Sequence, residues 1–172
     1  MVAAVSKDEF LTNGDNSNVS GWTSAEDKEF FKTIKSKHHL YVMGSKTFDS
    51  GTVLPNSDTL KIVLTTTPER YSSQEVSGQI EFKHLTPKKF VTLYEPSNDT
   101  CLLLGGGYTY TQFLELNLVD EIYLTVEPLQ FESGIPLLVN GKKMTSFINY
   151  IKPKTSLLNT SGTLLYHYVL KK

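Results

Sequence analysis

The chain has 172 residues, a formal net charge of -1 and 39% hydrophobic residues. A chain of this length can bury one substantial core, and its composition is that of a folded domain rather than a disordered chain. We therefore expect a single domain over residues 1–172. Acidic and basic residues are interspersed, which argues against a nucleic acid or membrane partner and favours a small molecule.

Cysteine and histidine usage argues against a metal site. Cys101 is the only cysteine, which excludes an internal disulfide, and the four histidines show no metal-ligand spacing. No segment approaches a signal peptide or the roughly 18 apolar residues of a membrane span. We expect a cytoplasmic protein. The sequence does not decide between a monomer and a homodimer.

Short apolar runs alternate with amphipathic segments along the chain. The runs predict strands at residues 2–5, 40–43, 60–64, 79–82, 102–104 and 121–126. Helices are predicted at about 24–36, 87–94 and 108–116. A polar loop is expected at 6–21, and residues 147–152 and 163–170 are expected to pair as an antiparallel hairpin. This order predicts an α/β fold, a mostly parallel central sheet between two helical layers with an antiparallel C-terminal hairpin.

One carboxylate stands out in the first predicted helix. Asp27 shares a helical face with Phe30, Phe31 and Ile34, at positions i, i+3, i+4 and i+7. Apolar surroundings raise the pKa of a carboxyl group toward neutrality, as proton transfer requires. Alternatively, Asp27 closes a capping box with Ser24, although Thr23 and Glu26 form an equally good box one residue earlier.

Small and hydroxylated residues follow three predicted strands. They are Gly105, Gly106 and Gly107 after one strand, Gly44, Ser45, Lys46 and Thr47 after another, and Thr65 and Thr66 after a third, with Arg70 beyond. In open α/β sheets ligands bind at the carboxyl ends of strands, and a helix N-terminus attracts phosphate. Together these segments predict a dinucleotide site, although a tight turn also explains each glycine cluster.

The motifs in register resemble the dihydrofolate reductases and, equally, the reductase domain of riboflavin-biosynthesis deaminase-reductases. The resemblance covers essentially the whole chain. It rests on residues 2–5, on Gly21-Trp22 with Asp27 and Phe31, and on 42–47, Leu54-Pro55, 62–65, 104–108 and 122–125.

The resemblance implies a role for each matching residue. Asp27 binds the ring nitrogens of the substrate and helps to deliver the proton, and Thr125 hydrogen-bonds to it. Ala4, Trp22 and Phe31 border the substrate, while the loop before Trp22 closes over the nicotinamide. The implied cofactor is NADPH. Its contacts are Gly44, Ser45, Lys46, Thr47, Thr65, Thr66, Arg70, Gly105, Gly106, Gly107, Tyr108 and Thr109.

Two departures from the family pattern affect specificity. Ser45 stands where dihydrofolate reductases usually carry the arginine that pairs with the 2'-phosphate of NADPH, so Lys46 and Arg70 must substitute. The stretch after Leu54-Pro55 lacks the arginine that binds the glutamate tail of folate, and only Lys61 offers a charge there. We therefore expect a reductase of a pterin or a ribosylaminopyrimidine that handles dihydrofolate poorly. A non-catalytic dinucleotide- or pterin-binding module of the same fold is the alternative.

Overall fold

The computed structural model describes residues 1–14, 21–94, 96, 100–148 and 150–170. These residues form ten strands: β1 Val2–Val5, β2 Phe10–Thr12, β3 Leu40–Gly44, β4 Leu60–Leu64, β5 Ile80–Lys83, β6 Cys101–Leu103, β7 Glu121–Val126, β8 Ile135–Pro136, β9 Lys154–Leu157 and β10 Leu164–Val169. The helices are α1 Ala25–Lys35, α2 Ser45–Asp49, α3 Pro87–Tyr94, α4 Gly107–Glu115 and α5 Thr145–Ile148, with a 3-10 helix at Pro68–Tyr71. In this described part, no helix is both long and apolar enough to cross a membrane.

The strands pair in two four-stranded sheets and one short ribbon. One sheet has the order β5-β4-β3-β6 and is parallel throughout. The other has the order β1-β7-β10-β9, in which β1 and β7 are parallel and β10 runs antiparallel to both neighbours. The predicted α/β fold, with parallel strands and an antiparallel finish, is therefore confirmed.

Side-chain alternation along the strands creates two covered faces. Leu40 and Val42 of β3 pack into the largest core, which α3 and α4 cover, while Tyr41 and Met43 point to the opposite face. Strand β7 alternates in the same way. Its Ile122 and Leu124 join the large core, whereas its odd-numbered residues face the side of α1.

Helix α1 lies across the boundary between the two larger sheets. Its Ile34 packs in one cluster with Val2 of β1 and with Tyr41 of β3 and Leu102 of β6. Phe30 contacts Tyr123 of β7 with their ring centroids 5.8 Å apart. Side chains on the inner face of α1 can therefore meet residues from both sheets.

The predicted C-terminal hairpin was wrong in its first strand. Phe147 and Ile148 belong to α5, a single helical turn whose N–H groups bond to the carbonyl of Met144, and they pack against the large core. A short apolar run is ambiguous between the two structures, and here the core contact decides for helix. Strand β9 begins only after Pro153, and its Leu157 pairs with Leu164 of β10.

The polar loop predicted over residues 6–21 contains a strand. Phe10 and Thr12 pair with Pro136 and Ile135 through an irregular register. The mixture of polar residues around this three-residue strand hid it. The second half of the predicted loop, residues 15–20, lies outside the described residues.

Candidate active site

A large cleft opens where β3, β4 and β6 end, and it continues along the inner face of α1. Its volume is about 2280 Å³, well above the roughly 300 to 1,000 Å³ of a pocket for one small ligand. Most predicted site residues line it: Ala4, Asp27, Phe31, Gly44, Ser45, Lys46, Thr47, Thr65, Thr66, Gly106, Gly107, Tyr108 and Thr109. Four other predicted site residues do not line the cleft: Trp22, Arg70, Gly105 and Thr125.

Asp27 is placed on the cleft by the way α1 begins. The helix is capped by Ser24, whose hydroxyl accepts the Asp27 N–H at 3.2 Å. In a capping box the Asp27 side chain would return to the Ser24 N–H. That N–H is instead donated to Oε1 of Glu127 at 2.7 Å. The capping-box alternative is therefore only half realised, and the Asp27 carboxyl is left to line the cleft.

Burial and nearby charges shift the pKa of the Asp27 carboxyl. Asp27 is only 8% exposed, and this burial is the first cause that raises its pKa. The negative charge of Glu127 raises it further, while the hydroxyls of Thr125 and Thr23 and the Lys28 ammonium act in the opposite direction. A carboxyl with a raised pKa can hold a proton at a pH where an ordinary aspartate has lost it.

Two buried polar atoms beside the cleft have no hydrogen-bond partner among the described residues. Thr125 is 1% exposed, and its hydroxyl acts on the neighbouring Asp27 carboxyl, although Oγ1 forms no hydrogen bond of full geometry. Trp22 packs edge-on against Phe131 with centroids 5.0 Å apart, and its Nε1 is the second such atom. Buried polar groups normally find a partner, so these two atoms are exceptions among the described residues.

The carboxyl ends of β3 and β6 meet through glycines. The Gly44 N–H donates to the Gly105 carbonyl at 2.7 Å, and the Gly105–Gly106 peptide is cis. A Cβ on Gly44 would stand 2.7 Å from Oγ1 of Thr109, and one on Gly106 would stand 3.0 Å from Oγ1 of Thr47. Only glycine therefore allows the strand ends and the start of α4 to approach this closely.

Helix α4 presents an N-terminus to the cleft without a side-chain cap. Its N-cap residue is Gly106, which has no side chain to accept from the N–H groups of the first turn. Free N–H groups and the positive end of the helix dipole suit a pyrophosphate. Gly107 has a separate reason for being glycine, because a Cβ there would meet the Pro136 carbonyl at 2.7 Å. The residues present thus fit a dinucleotide phosphate at Gly106.

The structure does not bring Arg70 to this end of the cleft. Arg70 lies exposed in the 3-10 helix, with its guanidinium 5.9 Å from the ring centroid of Tyr71. Lys46 does line the cleft, together with Thr65 and Thr66. His84, one of the four histidines without metal-ligand spacing, lines it as well.

Two lysines lie at the far end of the inner face of α1. Lys61 of β4 is only 6% exposed, and its Nζ donates to Oγ1 of Thr59 at 2.6 Å. Burial and the positive charge of Lys35 lower the pKa of Lys61. Nζ of Lys35 lies 5.3 Å from the ring centroid of Phe31. Neither lysine forms an ion pair with a carboxylate of the described residues.

Sequence reasoning missed Glu127 and Lys35. Glu127 is two residues beyond Thr125, on the alternation of β7 that faces α1, so strand periodicity could have indicated it. Lys35 follows Asp27 and Phe31 at spacings of four residues, so helical periodicity could have indicated the lysine.

Comparisons with known proteins identify the family of the chain. The sequence profile of the dihydrofolate reductase family matches residues 1–135. The chain therefore belongs to the dihydrofolate reductase family. Its relative YwjB, an uncharacterized protein of Bacillus subtilis (strain 168), is 27% identical over 145 residues, which are 80% of this chain and 74% of the relative.

Solved structures share the fold at low sequence identity. The deaminase and 5-amino-6-(5-phosphoribosylamino)uracil reductase of Thermotoga maritima has a TM-score of 0.75 and 12% identity, over 99% of this chain and 55% of that one. A dihydrofolate reductase of Enterococcus faecalis, complexed with NADP(H) and RAB-propyl, has a TM-score of 0.70 and 15% identity. The match covers 99% of this chain and 95% of that one.

Proposed function

We propose that this protein is an NADPH-dependent reductase that transfers a hydride to a pterin or ribosylaminopyrimidine-type heterocycle. The observation that carries the proposal is Asp27, a buried carboxyl with a raised pKa that is left out of helix capping and lines the cleft. Membership of the dihydrofolate reductase family supports a reductase.

The residues around Asp27 orient and protonate the heterocycle. When bound, NADPH supplies the hydride for the carbon of a C=N bond. Asp27 holds the proton that the nitrogen of this bond takes up, and it balances the charge of a protonated ring. Thr125, buried behind the cleft, acts on the Asp27 carboxyl, while Ala4 and Phe31 border the ring's faces.

The cofactor is held by the opposite end of the cleft. The uncapped start of α4 at Gly106 binds the pyrophosphate, with Thr47 and Thr109 beside it. The nearest candidates for the 2'-phosphate are Lys46 and His84, which line the cleft near Thr65 and Thr66. This assignment replaces Arg70, which the structure keeps on another surface.

The lysines favour a substrate with an anionic group at a set distance from the ring. Asp27, Phe31 and Lys35 lie at i, i+4 and i+8 on one face of α1. At about 1.5 Å per residue, the backbone positions of Asp27 and Lys35 lie about 12 Å apart. A bare pterin ring is shorter than this span, whereas a heterocycle with a sugar phosphate or a glutamate tail can reach across it.

The chemistry of the cations favours the phosphate. Lys35 and Lys61 are compact point charges, and neither can offer the two parallel hydrogen bonds with which arginine binds a carboxylate. Lysine is a common ligand for phosphate. We therefore place a phosphorylated ribosylaminopyrimidine ahead of dihydrofolate as the substrate.

Steady-state NADPH oxidation tests the proposal. The purified protein is assayed with four compounds: dihydrofolate, a pterin without the glutamate tail, a ribosylaminopyrimidine phosphate and its dephosphorylated form. We expect the phosphorylated pyrimidine to give the highest kcat/KM, and Asp27→Asn to remove most of the activity. Calorimetric titration with NADPH runs in parallel. Tight NADPH binding without oxidation in any of the four assays would instead identify a non-catalytic binding module.

A further inference from the structure

The buried carboxylate of Glu127 joins three parts of the fold. Glu127 is 3% exposed and follows the last residue of β7. Its Oε1 accepts the Ser24 N–H at 2.7 Å, and its Oε2 accepts the Thr163 hydroxyl at 2.6 Å. Its own N–H donates to the carbonyl of Val5 at 2.8 Å. Both carboxylate oxygens are thus bonded, and the side chain cannot itself reach a ligand while these bonds hold.

The bond to Ser24 decides what Asp27 can do. A helix with a serine N-cap and an acidic residue three positions later would ordinarily close a capping box, with the acidic side chain bonded to the N-cap N–H. Here Glu127 occupies that N–H. The Asp27 backbone still bonds to the Ser24 hydroxyl, so the helix start is intact while the Asp27 carboxyl is released.

We propose that Glu127 is a positioning residue for Asp27: it takes the N-cap N–H of α1 that Asp27 would otherwise bind, and so keeps the Asp27 carboxyl turned to the cleft. The inference rests on the proposed function, because it assigns Asp27 the proton. It adds that a second carboxylate, without contact to the substrate, sets both the direction and the acidity of the first.

The groups around this pair are consistent with such a role. Lys28 on α1 is the positive side chain that acts on Asp27, and it is exposed. Glu26 on the same helix is bonded by Nδ2 of Asn159 at 3.0 Å and points to the turn between β9 and β10. Thr163 contributes a neutral hydroxyl from that turn, and β1 contributes backbone only. Glu127 is therefore the buried negative charge that acts on Asp27.

Carbon-13 NMR titration of the Asp27 carboxyl tests the inference without any substrate. The resonance is assigned by its loss in Asp27→Asn. Glu127→Gln can keep an acceptor for the Ser24 N–H but removes the charge, so we expect the pKa of Asp27 to fall. The matched control is Glu121→Gln at the start of β7, where the carboxylate likewise accepts two side-chain bonds, from Tyr123 and His167. This control should leave the pKa of Asp27 unchanged.

Glu127→Ala tests the positioning itself. The freed Ser24 N–H can then capture the Asp27 carboxylate, which favours the ionised form, so the pKa of Asp27 should fall below that in Glu127→Gln. A displacement of about 1 Å can cost about 100-fold in rate. We expect kcat to drop by about that factor while KM for NADPH is unchanged. If the alanine variant does not fold, Glu127→Gln decides alone.

The outcomes separate this inference from the proposed function. A wild-type pKa of Asp27 in Glu127→Gln, and in Glu127→Ala where it folds, would overturn the positioning role even if the enzyme reduces its substrate. A lowered pKa in both variants supports the role even if no substrate is reduced, in which case only the proposed function fails. In an active enzyme, rate loss with rising pH should begin at lower pH in Glu127→Gln than in the wild type.

Discussion

The two ends of the cleft differ in the type of residue that lines them. At the proposed cofactor end, glycines and hydroxyls bring backbone groups close together, and a Cβ on Gly44 or Gly105 would stand 2.7 or 2.8 Å from a neighbouring side chain. At the proposed substrate end, the lining includes three ionisable side chains, those of Asp27, Lys35 and Lys61. The first end is thus determined by close approach of the backbone. The second is a charge pattern, and single substitutions can alter it without changing the fold.

The largest expected effect is at the substrate end. Asp27→Asn should lower kcat by about 100 to 10,000-fold, because an amide cannot supply the proton. The same change should raise the melting temperature at neutral pH. The folded protein raises the pKa of Asp27, so the folded state holds more protons than the unfolded state between the two pKa values, and stability falls as pH rises through that window.

Melting curves and pH–rate profiles of wild type and Asp27→Asn check both effects. The stabilisation by asparagine should shrink as the pH falls below the ordinary value for aspartate, where the unfolded state is protonated as well. An asparagine variant with wild-type turnover at every pH would refute the assignment of Asp27.

At the cofactor end, Gly105→Ala should damage the fold itself. Gly105 has φ +100°, and a Cβ there would lie 2.8 Å from the buried ring of Tyr110. We expect a loss of about 2 to 5 kcal/mol in the free energy of unfolding, measured by urea titration. Gly78→Ala is the control. Gly78 has φ +72° with nothing within 4 Å of a Cβ, so only the backbone cost of about 1 to 2 kcal/mol applies. Equal losses in the two variants would contradict the packing argument.

Lys61→Met should separate substrates by charge. A charge-assisted hydrogen bond contributes about 1.5 to 3 kcal/mol, so kcat/KM for the phosphorylated pyrimidine should fall about 10 to 150-fold. The dephosphorylated compound should react as before. Lys142→Met, which removes an exposed lysine paired with Glu115, should change neither. Equal losses for both compounds would show that Lys61 supports the cleft and does not bind an anion.

The smallest effect concerns cofactor choice. Ser45→Arg should sharpen the preference for NADPH over NADH by about 10-fold, because a guanidinium can pair with the 2'-phosphate through two hydrogen bonds. Titrations with both cofactors measure it. Arg70→Ala should leave both affinities unchanged, since Arg70 lies away from the cleft. A weaker NADPH affinity in Arg70→Ala would restore the role that the sequence suggested.

The difference between the two ends also explains what could be predicted from the sequence. The strands β1, β4 and β7, the helix α1 and the glycines at the strand ends follow from local patterns, namely apolar runs, a serine cap and small residues after strands. Such features are encoded within a few neighbouring residues. The position of Asp27 on the apolar face of α1 followed from helical periodicity in the same way.

Contacts between distant residues could not be predicted in this way. The bond from Ser24 to Glu127 joins residues 103 positions apart. The short pairing of β2 with β8 and the displacement of Arg70 from the cleft likewise depend on how the chain returns to itself. The sequence did not predict these three features, because tertiary contacts determine them and local propensity does not.

The periodicity of α1 determines how far apart its inward-facing side chains lie along the proposed substrate site. Its inner face carries an acid, an aromatic ring and a cation at intervals of four residues, Asp27, Phe31 and Lys35. Each interval corresponds to about 6 Å along the helix axis. Under the proposed function, the spacing between Asp27 and Lys35 sets the distance between the ring and the anion of the substrate. Exchanging the ring and the cation, as Phe31→Lys with Lys35→Phe, should select ligands whose anion lies about 6 Å closer to the ring, with the sheets and the cofactor end untouched.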